Sequence, residues 1–259
     1  MILKPQLNDI KNIGYYLGRI ILGIGLTMFL PFIAGLVLFR EPNPALDFLI
    51  SANIAILAGL ALSWLCKTDK DLHVGQAMVV IALSWLAVMV FSAIPLLLSG
   101  HYRSFLDACF ETMSGFTTTG LTLVQDLDHL SRTHNLWRHL GPFLGGQGIA
   151  IIAISFLVKD TSGSLNLYLG EGRDEKLVPN VMHTARFIWV ISIVYLILGT
   201  IVLGLAGMFI GLKPQSAFFH GTCIFMAGFD TAGFSPQSPN ILYYHSLIYE
   251  IVIIFFMVI

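Results

Sequence analysis

The sequence contains two similar ten-residue stretches, MSGFTTTGLT at residues 113–122 and MAGFDTAGFS at residues 226–235. The offset between them is 113 positions, from Gly120 to Gly233. At this offset, Met113, Gly115, Phe116, Thr118 and Gly120 recur as Met226, Gly228, Phe229, Thr231 and Gly233. An internal repeat of this kind indicates that one structural unit occurs twice in the chain.

Both stretches follow a short apolar segment, residues 104–115 in the first copy and residues 217–228 in the second. A helix of about 12 residues rises only about 18 Å, whereas the hydrocarbon core of a bilayer is about 30 Å thick. The segments are therefore predicted to be re-entrant pore helices, each followed by a Thr/Gly-rich loop. Non-helical backbone at membrane depth is tolerated only beside protein or a water-filled cavity, so each loop requires a cavity.

The composition indicates that lipid surrounds most of the chain. Of the 259 residues, 56% are hydrophobic and only 11% are charged, against roughly 25% charged in an average soluble domain. Six membrane spans are predicted, at Ile20–Phe39, Phe48–Cys66, Ala77–Ser99, Leu140–Val158, Phe187–Met208 and Ile241–Ile259. The predicted fold is an all-α polytopic membrane protein with an N-terminal helix pair and two helix–pore-loop–helix repeats.

The distribution of Lys and Arg predicts an orientation. Nine of the 14 such residues lie in residues 1–19, 67–76 and 159–186, and five lie in the segments on the other side of the membrane. Because cytoplasmic loops are richer in Lys and Arg, the N-terminus is predicted to be cytoplasmic. The last apolar block stops at Ile259 without a closing aromatic or basic anchor, so we expect the chain to be truncated.

The two loops have the composition expected of a potassium filter. Potassium loses its hydration shell readily only where oxygen atoms replace it, and successive backbone carbonyls that point one way provide them. Such a backbone needs angles that favour glycine, a role we assign to Gly120 and Gly233. The short helices direct their partly negative C-terminal ends towards the cation. The predicted ion-binding residues are Thr117, Thr118, Thr119, Gly120, Asp230, Thr231, Ala232 and Gly233, with potassium at Thr118, Thr119, Thr231 and Ala232.

Five motifs together point to one family. They are GFTTTG in the first loop, AGFS at residues 232–235, Gly145-Gly146-Gln147-Gly148-Ile149, LNLY at residues 165–168 and HTARFIW at residues 183–189. In this combination the chain resembles the Trk/Ktr/HKT superfamily of potassium transporters, and specifically its Trk-type uptake subunit. Members consist of four repeats with pseudo-fourfold symmetry, and the bacterial Trk-type proteins add two N-terminal helices.

The resemblance divides the chain and supplies an expected activity. The domains are the N-terminal helix pair (1–76), pore repeat one (77–158), a cytoplasmic linker (159–186) and pore repeat two (187–259), which make half of a pseudo-fourfold pore. The implied protein is a multi-pass potassium transporter of the bacterial cytoplasmic (inner) membrane, not an enzyme. Potassium is the transported ion, and no organic cofactor is implied.

The resemblance also implies partners, namely a second copy in a homodimer, membrane lipid and a cytoplasmic nucleotide-binding regulatory subunit docked on residues 159–186. A net charge of −1 does not indicate binding to nucleic acid. In the superfamily, a serine in place of the first filter glycine accompanies sodium transport, so Gly120 favours potassium. The alternatives are sodium or mixed monovalent cation transport, or a non-conducting fragment of such a protein.

Several residues allow two interpretations. Asp230 and Thr231 stand where the second loop of the relatives is more apolar, and Asp230 either attracts cations or caps its turn. The Gly145–Gly148 cluster either allows close helix packing or forms a hinge. Asp107 and Glu111 either form an acidic vestibule or bond the backbone of the filter. The eight histidines lack zinc-helix spacing and are expected to be solvated. The sequence has no nucleophile–base pair or paired metal motif that would indicate an enzyme.

Overall fold

The structure, a computed structural model, describes residues 7–68, 72–160 and 181–258. These ranges contain helices and connecting segments but no strand, so the all-α prediction is confirmed. The α-helices are α1 (Leu7–Thr27), α2 (Phe29–Ala34), α3 (Pro42–Leu65), α4 (Val74–Leu98), α5 (Phe105–Phe116), α6 (Arg132–Asp160), α7 (Val181–Phe209), α8 (Pro214–Phe229) and α9 (Leu247–Val258). A π-helix (Gly35–Phe39) follows α2, and a 3₁₀ helix (Asn240–Tyr244) precedes α9.

Four segments of the described ranges are long and apolar enough to cross a membrane: Asp9–Phe39, Pro42–Leu65, Gly75–Leu98 and Ala185–Phe209. In the most apolar stretch of each, no more than 33% of the residues are buried inside the protein. A helix that is apolar on all sides and still exposed is suited to lipid rather than to water. The chain is therefore an integral membrane protein.

Two of the six predicted spans, Leu140–Val158 and Ile241–Ile259, are not among these four segments of the described ranges, and the first and last spans also have other bounds than predicted. The first helix begins at Leu7 and breaks after Thr27, because the ring of Pro31 clashes with the carbonyl group four residues earlier. The last helix begins at Leu247 rather than at Ile241. His245 has a φ of +44°, which interrupts the helix, and Ser246 Oγ then accepts a hydrogen bond from the Tyr249 N–H as an N-cap.

The chain forms two compact units, the first comprising Met1–Gly115 and Leu121–Arg138. In this unit α1 packs on α3 at a crossing of two glycines, where a Cβ on Gly18 would lie 2.8 Å from the Gly59 carbonyl oxygen. The start of α6 is fixed by Glu41, whose carboxylate accepts hydrogen bonds from the N–H groups of Arg132 (3.2 Å) and Thr133 (3.0 Å). The N-terminus of α6 thus has its free donors satisfied by an anion.

The second unit comprises Phe116–Gly120 and His139–Ile259. Helix α8 packs against α7 and α9. The buried core of this contact consists of Leu203, Ile224, Phe225, Tyr244, Tyr249, Ile253 and Phe256. The predicted repeats are defined by sequence similarity, whereas the two units are defined by their compactness. The division into repeats therefore remains a prediction. The LNLY segment and most of the linker at residues 159–186 lie outside the described residues.

Candidate functional site

The two repeated loops have the same backbone conformation. In the first loop φ is +54° at Thr118 and +76° at Gly120, and in the second it is +55° at Thr231 and +73° at Gly233. Thr119, between the first two, has no positive φ, so residues with positive and negative φ alternate. The repeat seen in the sequence is therefore also a repeat of backbone geometry.

Both glycines have the positive φ that the sequence predicted, but the threonines were not anticipated. A β-branched residue with positive φ is an outlier, and residues held in the left-handed region cost of order 1–3 kcal/mol each. Among the described residues only five non-glycine residues have positive φ, and two of them are Thr118 and Thr231, which occupy equivalent positions. The recurrence of the same threonine in both copies was the only signal in the sequence.

The second loop directs two consecutive carbonyl groups away from its pore helix. The N–H groups of Ala232 and Gly233 both donate to the carbonyl oxygen of Ala227, at 2.8 and 3.2 Å. In a trans peptide the carbonyl points opposite to the N–H of the same unit, and no cis peptide occurs in the described residues. The carbonyl oxygens of Thr231 and Ala232 therefore point away from Ala227, on one side of the loop.

The side chains of the two loops make different bonds. In the first loop, the hydroxyl groups of Thr117 and Thr119 share a hydrogen bond of 2.9 Å. In the second loop, Asp230 occupies the position equivalent to Thr117. Its Oδ1 accepts a hydrogen bond from Gln147 Nε2 at 3.3 Å, and its buried Oδ2 has no hydrogen-bond partner in the described part of the chain. The carboxylate therefore bonds α6 and does not cap its own turn.

The two loops meet at Gly120. A Cβ added to Gly120 would collide with the carbonyl oxygen of Ala232. A Cβ added to Gly233 would meet no atom of the described residues within 4 Å. Gly120 is therefore required both by its φ and by the approach of the second loop, whereas Gly233 is required by its φ alone.

The glycine cluster of α6 packs against the end of α5 and against the second loop. A Cβ on Gly145 would collide with the carbonyl oxygen of Phe116, the last residue of α5. A Cβ on Gly146 would lie 2.5 Å from Asp230 Oδ1, while one on Gly148 would meet no described atom within 4 Å. These contacts favour the close-packing interpretation for Gly145 and Gly146.

Gln147, within the same cluster, extends the contact to α7. Its Oε1 accepts a hydrogen bond of 2.9 Å from Ser192 Oγ. Ser192 Oγ also bonds the carbonyl oxygen of Ile188 in its own helix at 2.9 Å. A chain of hydrogen bonds therefore connects the second loop, α6 and α7.

The two acidic residues of α5 have different surroundings. Asp107 lines an open cleft of about 300 Å³ together with His101, Arg103 and Asp126. Glu111 is fully buried, and its Oε1 lies 2.8 Å from Nη2 of Arg138, which is also fully buried. The structural interpretation therefore holds for Glu111. Sequence reasoning missed Arg138, which it treated only as one of the outer-side charges.

Three histidines differ from the expectation of solvated interface residues, whereas four others are exposed as expected. His134, His139 and His220 are buried. His134 Nε2 lies 3.3 Å from Asp47 Oδ2, and His220 Nδ1 lies 3.0 Å from the Tyr244 hydroxyl. Polar partners thus accompany the burial of His134 and His220, and His139 packs edge-on against the ring of Phe234. Within the described part of the chain, no group of three or more His, Cys, Asp or Glu side chains is placed to hold a metal ion.

Comparison with known proteins places the chain in a family. Residues 46–259 match the family model TrkH, described as a cation transport protein. The chain is 33% identical over 235 residues to an uncharacterized cation transporter of Methanocaldococcus jannaschii, covering 91% of this chain and 47% of that protein. It is 27% identical over 253 residues to the Trk system potassium uptake protein TrkG of Escherichia coli, covering 95% of this chain and 50% of that protein.

The fold has a solved counterpart. The crystal structure of the potassium transporter TrkH from Vibrio parahaemolyticus matches with a TM-score of 0.74 and 22% identity, over 95% of this chain and 48% of that one. The chain thus spans about half the length of the curated relatives it matches. The matched family is one of transporters and not of enzymes. The chain belongs to the TrkH family of cation transport proteins.

Proposed function

We propose that the protein transports potassium across the membrane and that backbone carbonyls of its two Thr/Gly-rich loops select the ion. The single observation that carries this proposal is the alternation of φ at equivalent residues, Thr118 and Gly120 in one loop and Thr231 and Gly233 in the other. Backbone strain at the same positions of two loops indicates a function that both loops share.

The chemistry of the loops suits a dehydrated monovalent cation. The carbonyl oxygens of Thr231 and Ala232 point to one side of the second loop and can replace water around potassium. We assign the same role to Thr118 and Thr119 in the first loop. Helices α5 and α8 end directly before the loops, and their C-terminal carbonyl groups carry partial negative charge. This arrangement favours a cation over an anion.

Gly120 distinguishes potassium from the alternative cations. A side chain at residue 120 would displace the Ala232 carbonyl oxygen, which is one of the proposed potassium ligands. The names of the E. coli and V. parahaemolyticus proteins, which refer to potassium, support the same ion. Sodium or mixed monovalent cation transport remains the second candidate, because the smaller ion also binds carbonyl oxygens.

The test is the ratio of potassium to sodium flux through the full-length gene product in proteoliposomes. Gly120→Ser is expected to lower this ratio about tenfold, the change given by about 1.4 kcal/mol of differential binding. Gly23→Ser is the matched control, because a Cβ at Gly23 in α1 meets nothing within 4 Å. An unchanged ratio in Gly120→Ser, at normal yield, would remove the basis for the proposed filter.

The orientation and partners belong to the same proposal. We place the N-terminus in the cytoplasm of a bacterial cell, with the linker at residues 159–186 as the docking site of a nucleotide-binding regulatory subunit, and we propose a homodimer. In a variant without native cysteines, a cysteine at Gln125 or Ser238 should react with an impermeant thiol reagent from outside the cell. A cysteine at Ser164 should not. Labelling of the cysteine at Ser164 in intact cells would show that the opposite orientation is correct.

A further inference from the structure

The three residues after the first filter loop are bonded to the pore helix α5. The carbonyl oxygen of Leu121 accepts a hydrogen bond from Ser114 Oγ at 2.6 Å. Thr122 Oγ1 donates to Glu111 Oε1 at 2.8 Å, and the N–H of Leu123 donates to Glu111 Oε2 at 2.8 Å. Both oxygens of one buried carboxylate therefore hold the chain directly after Gly120. We call this set of bonds the α5 clamp.

Arg138 of α6 completes the α5 clamp. Its Nε donates to Glu111 Oε1 at 2.8 Å, and its Nη2 also lies 2.8 Å from that oxygen. Nη2 donates to Thr122 Oγ1 at 3.2 Å and Nη1 to Asn135 Oδ1 at 3.1 Å. A buried ion pair is a weak source of stability, because desolvation offsets the attraction. The several hydrogen bonds of the Glu111–Arg138 pair instead hold residues 121–123 in one defined position.

The second repeat has the same turn but different residues at the positions that form the α5 clamp. Ser235 Oγ accepts a hydrogen bond from the Gln237 N–H at 3.3 Å, as Thr122 Oγ1 does from the Val124 N–H at 3.3 Å, so the offset of 113 holds through this turn. At the equivalent positions, Ile224 replaces Glu111, Ala227 replaces Ser114 and Pro236 replaces Leu123. Proline has no N–H, so the segment that lacks the carboxylate also lacks the donor that would need it.

We propose that Glu111 and Arg138 are positioning residues for the first filter loop and that they set its preference for potassium. This inference rests on the proposed function of the loops as a filter. Residues 117–120 are joined covalently to α5 at one end and to the α5 clamp at the other. A threonine with positive φ persists only where its surroundings over-determine the backbone, and the clamp supplies that constraint at the end of the loop beside Gly120.

The experiment measures the potassium-to-sodium flux ratio of the full-length gene product in proteoliposomes. Glu111→Gln removes one acceptor and the charge, while Leu123→Pro and Ser114→Ala each remove one hydrogen bond and keep the ion pair. Glu111→Gln is expected to lower the ratio about tenfold, as for a lost hydrogen bond to a charged group, and the other two are expected to lower it severalfold. Asp107→Asn is the matched control, one turn away on α5, and should keep the ratio.

Yield and thermal unfolding are measured for each variant, because a structural role alone would change these and not the ratio. Normal ratios in Leu123→Pro and Ser114→Ala, together with a lowered ratio in Gly120→Ser, would contradict the positioning role of the α5 clamp. The same result would support the filter role of the loops. A normal ratio in Gly120→Ser would overturn the filter itself. If Glu111→Gln gives too little protein, Leu123→Pro and Ser114→Ala decide the question, since each leaves the charges paired.

Discussion

The two proposed filter loops have similar φ angles at equivalent positions, but different residues support them. The first is followed by a segment bonded to the buried Glu111–Arg138 pair, whereas the helix before the second, α8, packs in an apolar and aromatic core around Ile224. The alternating φ angles are the same in both. The difference teaches that the same alternation of φ occurs beside buried polar bonds in one repeat and beside apolar packing in the other.

Breaking the buried pair is expected to have the largest effect. Glu111→Ala leaves the Arg138 guanidinium buried without its carboxylate, and such a loss costs about 3–5 kcal/mol of stability. The measurement is thermal unfolding of the purified protein in detergent. The double variant Glu111→Leu with Arg138→Met should recover most of this loss, because an apolar pair of similar size avoids the desolvation cost. Full stability of Glu111→Ala would contradict this account of the first repeat.

The two filter glycines should tolerate a methyl group unequally. At Gly120 the added Cβ collides with the Ala232 carbonyl oxygen, whereas at Gly233 it meets open space and only the left-handed φ, at a cost of about 1–2 kcal/mol, opposes it. Gly120→Ala is therefore expected to lower the potassium-to-sodium flux ratio more than Gly233→Ala does. An equal or larger effect at Gly233 would show that the approach of the two loops is not what makes Gly120 necessary.

The glycine cluster of α6 offers a smaller contrast. Gly145→Ala places a methyl group against the Phe116 carbonyl oxygen and should destabilise the protein by about 1–3 kcal/mol through overpacking. Gly148→Ala has open space and should stabilise α6 by up to about 1 kcal/mol. Thermal unfolding of the two variants compares them directly. Similar behaviour of both would indicate a hinge role for the cluster rather than close packing.

Asp230 is expected to give the smallest effect. Because its carboxylate bonds Gln147, an asparagine keeps the acceptor at that position and loses only the charge. We expect Asp230→Asn to change the KM for potassium by less than about twofold and Asp230→Ala, which removes the hydrogen bond, to lower stability by about 1 kcal/mol. A large rise in KM in Asp230→Asn would instead favour the interpretation that this charge attracts cations.

Local sequence patterns predicted the helical class, a short helix before each loop and the two glycines with positive φ. These features depend on apolar run length and on residues close in sequence. The repeat also gave the equivalence of the two loops, because Thr118 and Gly120 recur as Thr231 and Gly233. The start of α9 was predicted too early because the apolar run from Ile241 gives no sign of the φ of +44° at His245.

Contacts between distant residues could not be predicted in the same way. Glu111 and Arg138 are 27 positions apart, and nothing in their spacing indicates that both are buried and paired. The buried His134, His139 and His220 likewise depend on packing against other elements. The collision at Gly120 involves a residue 112 positions away, Ala232, so only the folded chain reveals it.

The most direct test of the central claim is to locate the ion. Thallium(I), a heavy analogue of potassium, can be found by its anomalous scattering in crystals of the full-length gene product. The account predicts a peak coordinated by the carbonyl oxygens of Thr118, Thr119, Thr231 and Ala232, and its loss when sodium replaces thallium. A thallium peak elsewhere, with these four carbonyl groups uncoordinated, would contradict the assignment of the two loops as the filter.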